Sequence, residues 1–342
     1  MHVLITGHTG FKGAWLAHLL LREGHELSGI ALDPLPGGIY ERTGLAQRFA
    51  NDLRLDIRDA DRTRAVISSL APDAVVHLAA QPLVRASYAD PQGTMETNVD
   101  GTLHVLQGIA DTPSVHSALI ITTDKVYRNV GKTAGYVETD ALGGDDPYSA
   151  SKAMADILTQ SWVRSFPGAP TAIARAGNVI GGGDVSPDRL LPDLVRAFTQ
   201  GHPARLRYPR AVRPWQHVLD CLSGYLAILA SLEDAPDLHR PSLWNIGPDP
   251  AQFSTVDEVA HAAAAEWGSG ARLEIDTAQH PHEASLLTLD STRAHETLGW
   301  RNRLDVGTAV RWTVEWEKRA YEGGDSLSQT LEQIETFWAL GD

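Results

Sequence analysis

VLITGHTGFKG, residues 3–13, is the stretch on which the fold turns. An apolar run enters a glycine-rich turn and passes directly into AWLAHLLL, residues 14–21, whose apolar side chains suit a helix. Gly7, Gly10 and Gly13 stand in a G-x-x-G-x-x-G spacing. Between a strand and a helix each glycine has a mechanical task. The first permits the tight turn, the second lets backbone approach a pyrophosphate, and the third lets the helix pack closely on the sheet, with the phosphates at the helix N-terminus. A glycine triplet without that context would be an ordinary turn.

The same alternation continues outward. ELSGIALD (26–33) reads as a strand, DADRTRAVISSLAPD (59–73) as a helix and AVVHLAA (74–80) as a strand. A helix follows at about 95–110, then a strand at SALIITT (117–123), a helix from Pro147 to Ser165 and a strand at PTAIARAG (170–177). Short apolar strands separated by amphipathic helices predict an α/β fold with a doubly wound parallel sheet. Beyond Asn178 the pattern loosens into proline- and arginine-rich segments, SPDRLLPD (186–193) and RYPRAVRPWQHV (207–218), with short helices and strands such as SLWNIG (242–247). The expected organisation is a dinucleotide-binding domain over residues 1–178, to which 212–247 return. A smaller, discontinuous substrate lobe is expected from 179–211 and 248–342.

Composition narrows the function. With 342 residues, 43% of them hydrophobic, the chain can bury a sizeable core. Its net charge of −14 argues against a nucleic-acid backbone as partner. The single cysteine, Cys221, asks for no oxidising compartment, and no secretory or membrane-spanning stretch is read, so a cytoplasmic setting is expected. Histidines are scattered without HxxxH, HExxH or CxxC spacing, so no metal site is expected.

Asp33, twenty residues past Gly13, ends the second strand. There a carboxylate accepts hydrogen bonds from both ribose hydroxyls of NAD and repels a 2′-phosphate, which favours NAD over NADP. Helix capping is the plainer alternative. Asp56 and Ile57 are placed to meet adenine, and Ala79, Ala80 and Gln81 end a strand beside the dinucleotide. His8, inside the glycine loop, is read as orienting backbone.

In DPYSASK (146–152) Tyr148 precedes Lys152 by four residues, one helical turn. A nearby ammonium lowers a phenol's pKa, so Tyr148 can serve as base and then acid in an alcohol–ketone step. Such spacing also arises by chance on exposed helices. Here it follows a strand ending in ITTDK, where Thr123 offers a hydroxyl to orient the reacting oxygen.

TGHTGFKG, AAQPLVRASY, TDKVY, PYSASK, RAGNVIGGGD, RLLPD, RPWQHV and HPHEA together resemble the CDP-glucose 4,6-dehydratases. These belong to the nucleotide-sugar epimerase/dehydratase branch of the extended short-chain dehydrogenase/reductases. The resemblance implies a Rossmann-type fold, NAD as cofactor and a homodimer built on the helices near 95–112 and 148–165. The implied chemistry is oxidation at carbon 4 of CDP-glucose, loss of water across carbons 5 and 6, and hydride return to carbon 6, giving CDP-4-keto-6-deoxyglucose. A nucleotide-sugar epimerase, or a dehydratase for another NDP-hexose or a heptose, is the alternative.

The implied acid and base for the elimination are Asp124 and Lys125, which otherwise read as a local ion pair at a strand end. Valine at 126 replaces the cysteine common in that branch, and the chain starts without the short leader often seen there. The resemblance also implies cofactor contacts from Thr9, Phe11, Asn98, Tyr148 and Lys152, and substrate contacts from Arg85, Leu190 and His217. Phosphates need guanidinium groups, and Arg175, Arg189 and Arg213 are the candidates. Asn178 is expected at a phosphate or sugar oxygen, and His282 and Glu283 at the ribose. Trp215 is read as packed between lobes rather than stacked on the ligand.

Overall fold

The computed structural model describes residues 1–233, 241–249, 253–278 and 287–341. Seven strands build the central sheet: β1 (His2–Thr6), β2 (Glu26–Ala31), β3 (Asn51–Arg54), β4 (Ala74–His77), β5 (Ser117–Thr123), β6 (Thr171–Ala176) and β7 (Ser242–Ile246). Their order is β7-β6-β5-β4-β1-β2-β3 and every pairing is parallel. The chain runs outward from β1 through β2 to β3, then restarts on the other side at β4. The direction of winding therefore reverses between β1 and β4, and a crevice opens beyond their C-terminal ends.

The longer helices are α1 (Phe11–Arg22), α2 (Ala60–Leu70), α3 (Gly101–Ala110), α4 (Pro147–Ser165), α5 (Leu190–Thr199), α6 (Val218–Glu233), α7 (Val256–Trp267), α8 (Val306–Tyr321) and α9 (Ser326–Ala339). One sheet face packs on α1, α6, α8 and α9 through Trp15, Leu19, Leu222, Trp316 and Phe337, all buried. The opposite face packs on α2 and α3 through Leu4, Val75, Ile67 and Val105. Burial on both faces explains why β1, β4, β5 and β6 read as near-continuous apolar runs.

The helix expected at 95–110 differs in detail. A short helix over Pro91–Met95 passes into a π turn at Glu96–Asp100 before α3 begins. That wide turn aims Asn98 inward, where its amide donates to Gln81 O and Ser151 Oγ. The polar segment NDLR, which the apolar pattern passes over, forms edge strand β3.

β7 lies beside β6, so the chain returns to the sheet after α6. A second apolar cluster gathers Leu191, Leu194, Phe198, Trp215, Val259 and Val310 from α5, α7, α8 and the 204–215 segment. It stands beyond the C-terminal strand ends and forms the far wall of the cleft.

Candidate active site

The glycine turn sits at the switch point. Gly7 has φ +77°, and a Cβ there would lie 2.7 Å from Ala79 N, so only glycine lets β1 turn this closely against the end of β4. A Cβ on Gly13 would meet Gly7 O. Thr9 Oγ1 donates to Leu32 O at 3.0 Å, tying the loop to the end of β2. Asp33 follows there, its carboxylate almost fully exposed and 3.5 Å from Arg54 Nε. His8 turns beneath the loop to Asp52, 2.6 Å away, and burial holds its pKa below the usual value.

The other expected cofactor residues divide. Ala80 lines the cleft, and the Ala79 backbone lies against Gly7. Gln81 and Asn98 spend their side chains on the protein: Gln81 N donates to Asn98 Oδ1 at 2.8 Å, and Gln81 Nε2 donates to Thr94 Oγ1 and Leu83 O. They brace the loop after β4. Asp56 is paired with Arg58 at 2.6 Å. Ile57 is buried against Gly101 and serves the core.

On the far side of the crevice Asp146 caps α4 by accepting from Ser149 N at 2.9 Å, and Pro147 occupies the first turn. This fixes Tyr148 at the helix start and Lys152 one turn on, both facing β5. Thr123 ends β5 and starts a short 3-10 turn, Asp124–Val126. Thr123, Asp124, Lys125, Tyr148 and Lys152 all line one cleft, together with Lys12, Arg85, Asn178, Arg189, Leu190 and Arg213.

Within the cleft Thr123 Oγ1 donates to Asp124 Oδ1 at 2.8 Å. Asp124 Oδ2 is buried with no hydrogen-bond partner among the described residues. It faces Gly177, where a Cβ would come within 3.2 Å of it. Burial pushes the Tyr148 phenol up to about 12, against the opposing pull of the Thr123 hydrogen bond and the Arg189 charge. Burial, reinforced by the Lys12 charge, pulls Lys152 down to about 7. Its Nζ donates to Ile121 O at 2.7 Å. The lowering of the phenol expected from Lys152 is not seen: burial sets the direction at Tyr148, and the pulls against it come from Thr123 and Arg189, because a dry cleft favours the neutral form of both groups.

Two expected substrate contacts fall elsewhere. Arg175 is fully buried behind β6, its guanidinium doubly bonded to Asp156 at 2.8 Å, and does not reach the cleft. His217 is buried between the rings of Trp15 and Trp312, and burial pulls it down to about 3. Trp215 is buried in the second cluster, with Nε1 donating to Ser254 O at 3.1 Å. His282 and Glu283 lie outside the described residues.

Several cleft residues were given no role by the sequence reading. Asp188, at φ +59°, accepts from Arg85 at 3.0 Å and from Arg207 at 2.6 Å, so one carboxylate joins two arginines at the cleft mouth. Lys12 Nζ donates to Tyr225 OH at 3.2 Å. The arginine-rich run 205–213 held a signal for Arg207, but pairing across 103 residues, as between Arg85 and Asp188, leaves none. Among the described residues no group of His, Cys, Asp and Glu could hold a metal ion.

A glycine cradle at a winding switch, with a Thr–Tyr–Lys set opposite, defines a dinucleotide-dependent enzyme that interconverts a hydroxyl and a carbonyl. The chain belongs to the NAD dependent epimerase/dehydratase family, whose model matches residues 3–247. It is 38% identical to the CDP-glucose 4,6-dehydratase of Salmonella typhimurium, over 98% of this chain and 95% of that protein. Among solved structures it resembles a UDP-glucose-4-epimerase from Stenotrophomonas maltophila with bound NAD, at TM-score 0.81 and 23% identity over 95% of this chain and 100% of that one. It also resembles the dTDP-glucose 4,6-dehydratase of Bacillus anthracis in complex with NAD, at TM-score 0.79 and 22% identity over 96% and 99%.

Proposed function

We propose that this enzyme is a CDP-glucose 4,6-dehydratase. The observation that carries the reading is the convergence of Asp124 and Lys125 with Thr123, Tyr148 and Lys152 on one cleft. An epimerase needs a transient ketone but no acid for a departing carbon-6 hydroxyl. The name of the Salmonella relative supports CDP-glucose among nucleotide sugars.

NAD is the cofactor, and the chain fits it: without a Cβ at Gly7 and Gly13 the loop folds tightly against Ala79 and Gly7 O, which leaves the N-terminus of α1 open to a pyrophosphate. The exposed Asp33 carboxylate at the end of β2 suits ribose hydroxyls. Bound in this cradle, NAD would supply the acceptor for the carbon-4 hydride and the store from which it returns to carbon 6. Tyr148 first gives up its phenol proton to solvent, with Lys152 as the ammonium beside it; Oη then takes the proton of the carbon-4 hydroxyl, whose oxygen Thr123 Oγ1 orients by turning its own proton to it. Once carbon 4 is a ketone the carbon-5 proton is acidic; Lys125 Nζ, as the free amine, removes it and returns it to carbon 5 when hydride arrives at carbon 6. Asp124, entering the step as the carboxylic acid, gives its proton to the departing carbon-6 hydroxyl, which leaves as water; with substrate bound, the Thr123 hydroxyl that held it turns to the carbon-4 oxygen. Arg189 and Arg213 grip the diphosphate, with Arg85, Asn178 and Leu190 placing the rest of the substrate.

The same reading divides the chain into a cofactor domain, 1–178 with 212–247, and a nucleotide-sugar lobe, 179–211 with 248–342. It includes a homodimer through α3 and α4, the latter with Met154 and Ile157 about half exposed. It also includes a cytoplasmic setting, supported by one buried free cysteine and by the lack, among the described residues, of any helix long and apolar enough to cross a membrane.

Incubation with NAD and the CDP, dTDP, UDP or GDP form of glucose tests the assignment. A 4-keto-6-deoxy product from CDP-glucose without net NADH is the expected result, and a 4-epimer overturns it. Lys125→Met should lower product formation by roughly 10²- to 10⁴-fold while NADH builds up, because oxidation is spared. Full dehydration by that variant rejects Lys125 as the base.

A further inference from the structure

Behind the cleft lies a buried polar network that touches none of the reacting groups yet holds both segments that carry them. Tyr127 follows directly on the turn bearing Asp124 and Lys125. Its ring is buried and stacked on Tyr136, with centroids 5.2 Å apart. Its hydroxyl donates to Asn245 Oδ1 at 2.6 Å and accepts from Arg175 NH1 at 2.8 Å. The Arg175 guanidinium lies over the same ring, 5.0 Å from its centroid.

The other edge of that guanidinium grips α4. Arg175 Nε and NH2 each reach Asp156 at 2.8 Å, and Asp156 stands one helical turn beyond Lys152. Thr122 Oγ1, next to Thr123, donates to the same carboxylate at 3.2 Å. NH1 also donates to Glu138 O at 2.9 Å. A planar guanidinium satisfied on both edges is a rigid spacer, because its fork fixes direction as well as distance. One edge fixes the helix of the oxidation pair, and the other fixes the residue that ends the elimination turn.

We propose that Arg175 and Tyr127 are positioning residues that hold the Asp124–Lys125 turn in register with Tyr148 and Lys152, so that oxidation and elimination act on one pyranose ring. The inference rests on the dehydratase reading. The alternative is that the network only stabilises the fold.

Tyr127→Phe separates the two, since it keeps the ring and its stacking and removes only the hydroxyl that couples the turn to Arg175. The full-length variant is mixed with CDP-glucose and NAD while 340 nm absorbance and 4-keto-6-deoxy product are followed together. Expected is a fall in product formation of roughly tenfold to a hundredfold, the size that small misplacement of catalytic groups produces, with KM little changed and NADH accumulating that the wild type does not show. Asp156→Asn, which keeps the shape but loosens the grip on α4, should alter the same partition. Should either variant fail to fold, the other still reads the partition. Wild-type product formation without NADH build-up in the variants overturns the proposal, as does an equal loss of oxidation and elimination. A wild-type enzyme that makes no 4-keto-6-deoxy sugar overturns the dehydratase reading as well.

Discussion

Gly7 shows how much one residue decides. Its φ of +77° is strained for any side chain, and a Cβ would press on Ala79 backbone. Gly7→Ala is expected to cost about 1–3 kcal/mol of stability and to weaken NAD binding, measured by denaturant titration and by calorimetric titration with NAD. Unchanged affinity would show that β1 and β4 need not approach so closely. Gly7, Tyr148 and Lys152 were legible because the signal lies within a few neighbouring residues. Arg175 was misread for the opposite reason: a guanidinium in a sequence looks the same whether its partner is a phosphate or a buried carboxylate such as Asp156. His217 was misplaced likewise, since nothing in RPWQHV reveals the two tryptophans that enclose it.

Among the elements, α4 couples stability to chemistry most directly. Its N-cap is two residues from Tyr148, so loss of the cap frays the turn that holds the phenol. Asp146→Ala is expected to cost about 1 kcal/mol in denaturant midpoint analysis and to lower kcat, with Tyr148 less firmly placed. A loss of stability with unchanged kcat would mean that packing on β5 alone holds the first turn. The bounds of α4 were readable from DP at its start and from apolar spacing along it. The π turn at Glu96–Asp100 was not, because only the five-residue helix Pro91–Met95 precedes it, too short a run to set an apolar phase against which the shift could be read. β3 was passed over because an edge strand buries little and needs no apolar run.

The whole molecule should be sensitive to acid. His18, His77 and His217 are buried, and burial pulls them to about 4, 3 and 3 from 6.5. With folded values below unfolded ones, the unfolded chain binds more protons as pH falls below 6.5, so stability present above that pH is lost toward 4. Asp220 has the opposite sign: raised to about 7 from 3.8 by burial, it contributes stability below 3.8 that is lost as pH rises through 7. At about 1.4 kcal/mol per pKa unit the three histidines outweigh it. The melting temperature is expected to drop by more than about 5 °C between pH 7 and pH 5, read by calorimetry, and a flat profile would show that these rings protonate freely in the fold.

At this scale the division between sequence and structure is physical. The sequence by itself determined the parallel sheet, the glycine turn and the pairing of Tyr148 with Lys152 on one helical face, because each rests on periodicity or on groups held within a few residues of chain. Only the tertiary structure decided that Asp188 joins Arg85 to Arg207, that Gln81 and Asn98 brace a loop, and that Arg175 ties α4 to Tyr127 at the end of the Asp124–Val126 turn. Those are pairings between charged or polar groups far apart in the chain, and which partner each finds is fixed by packing, after the backbone has brought them into the same dry space.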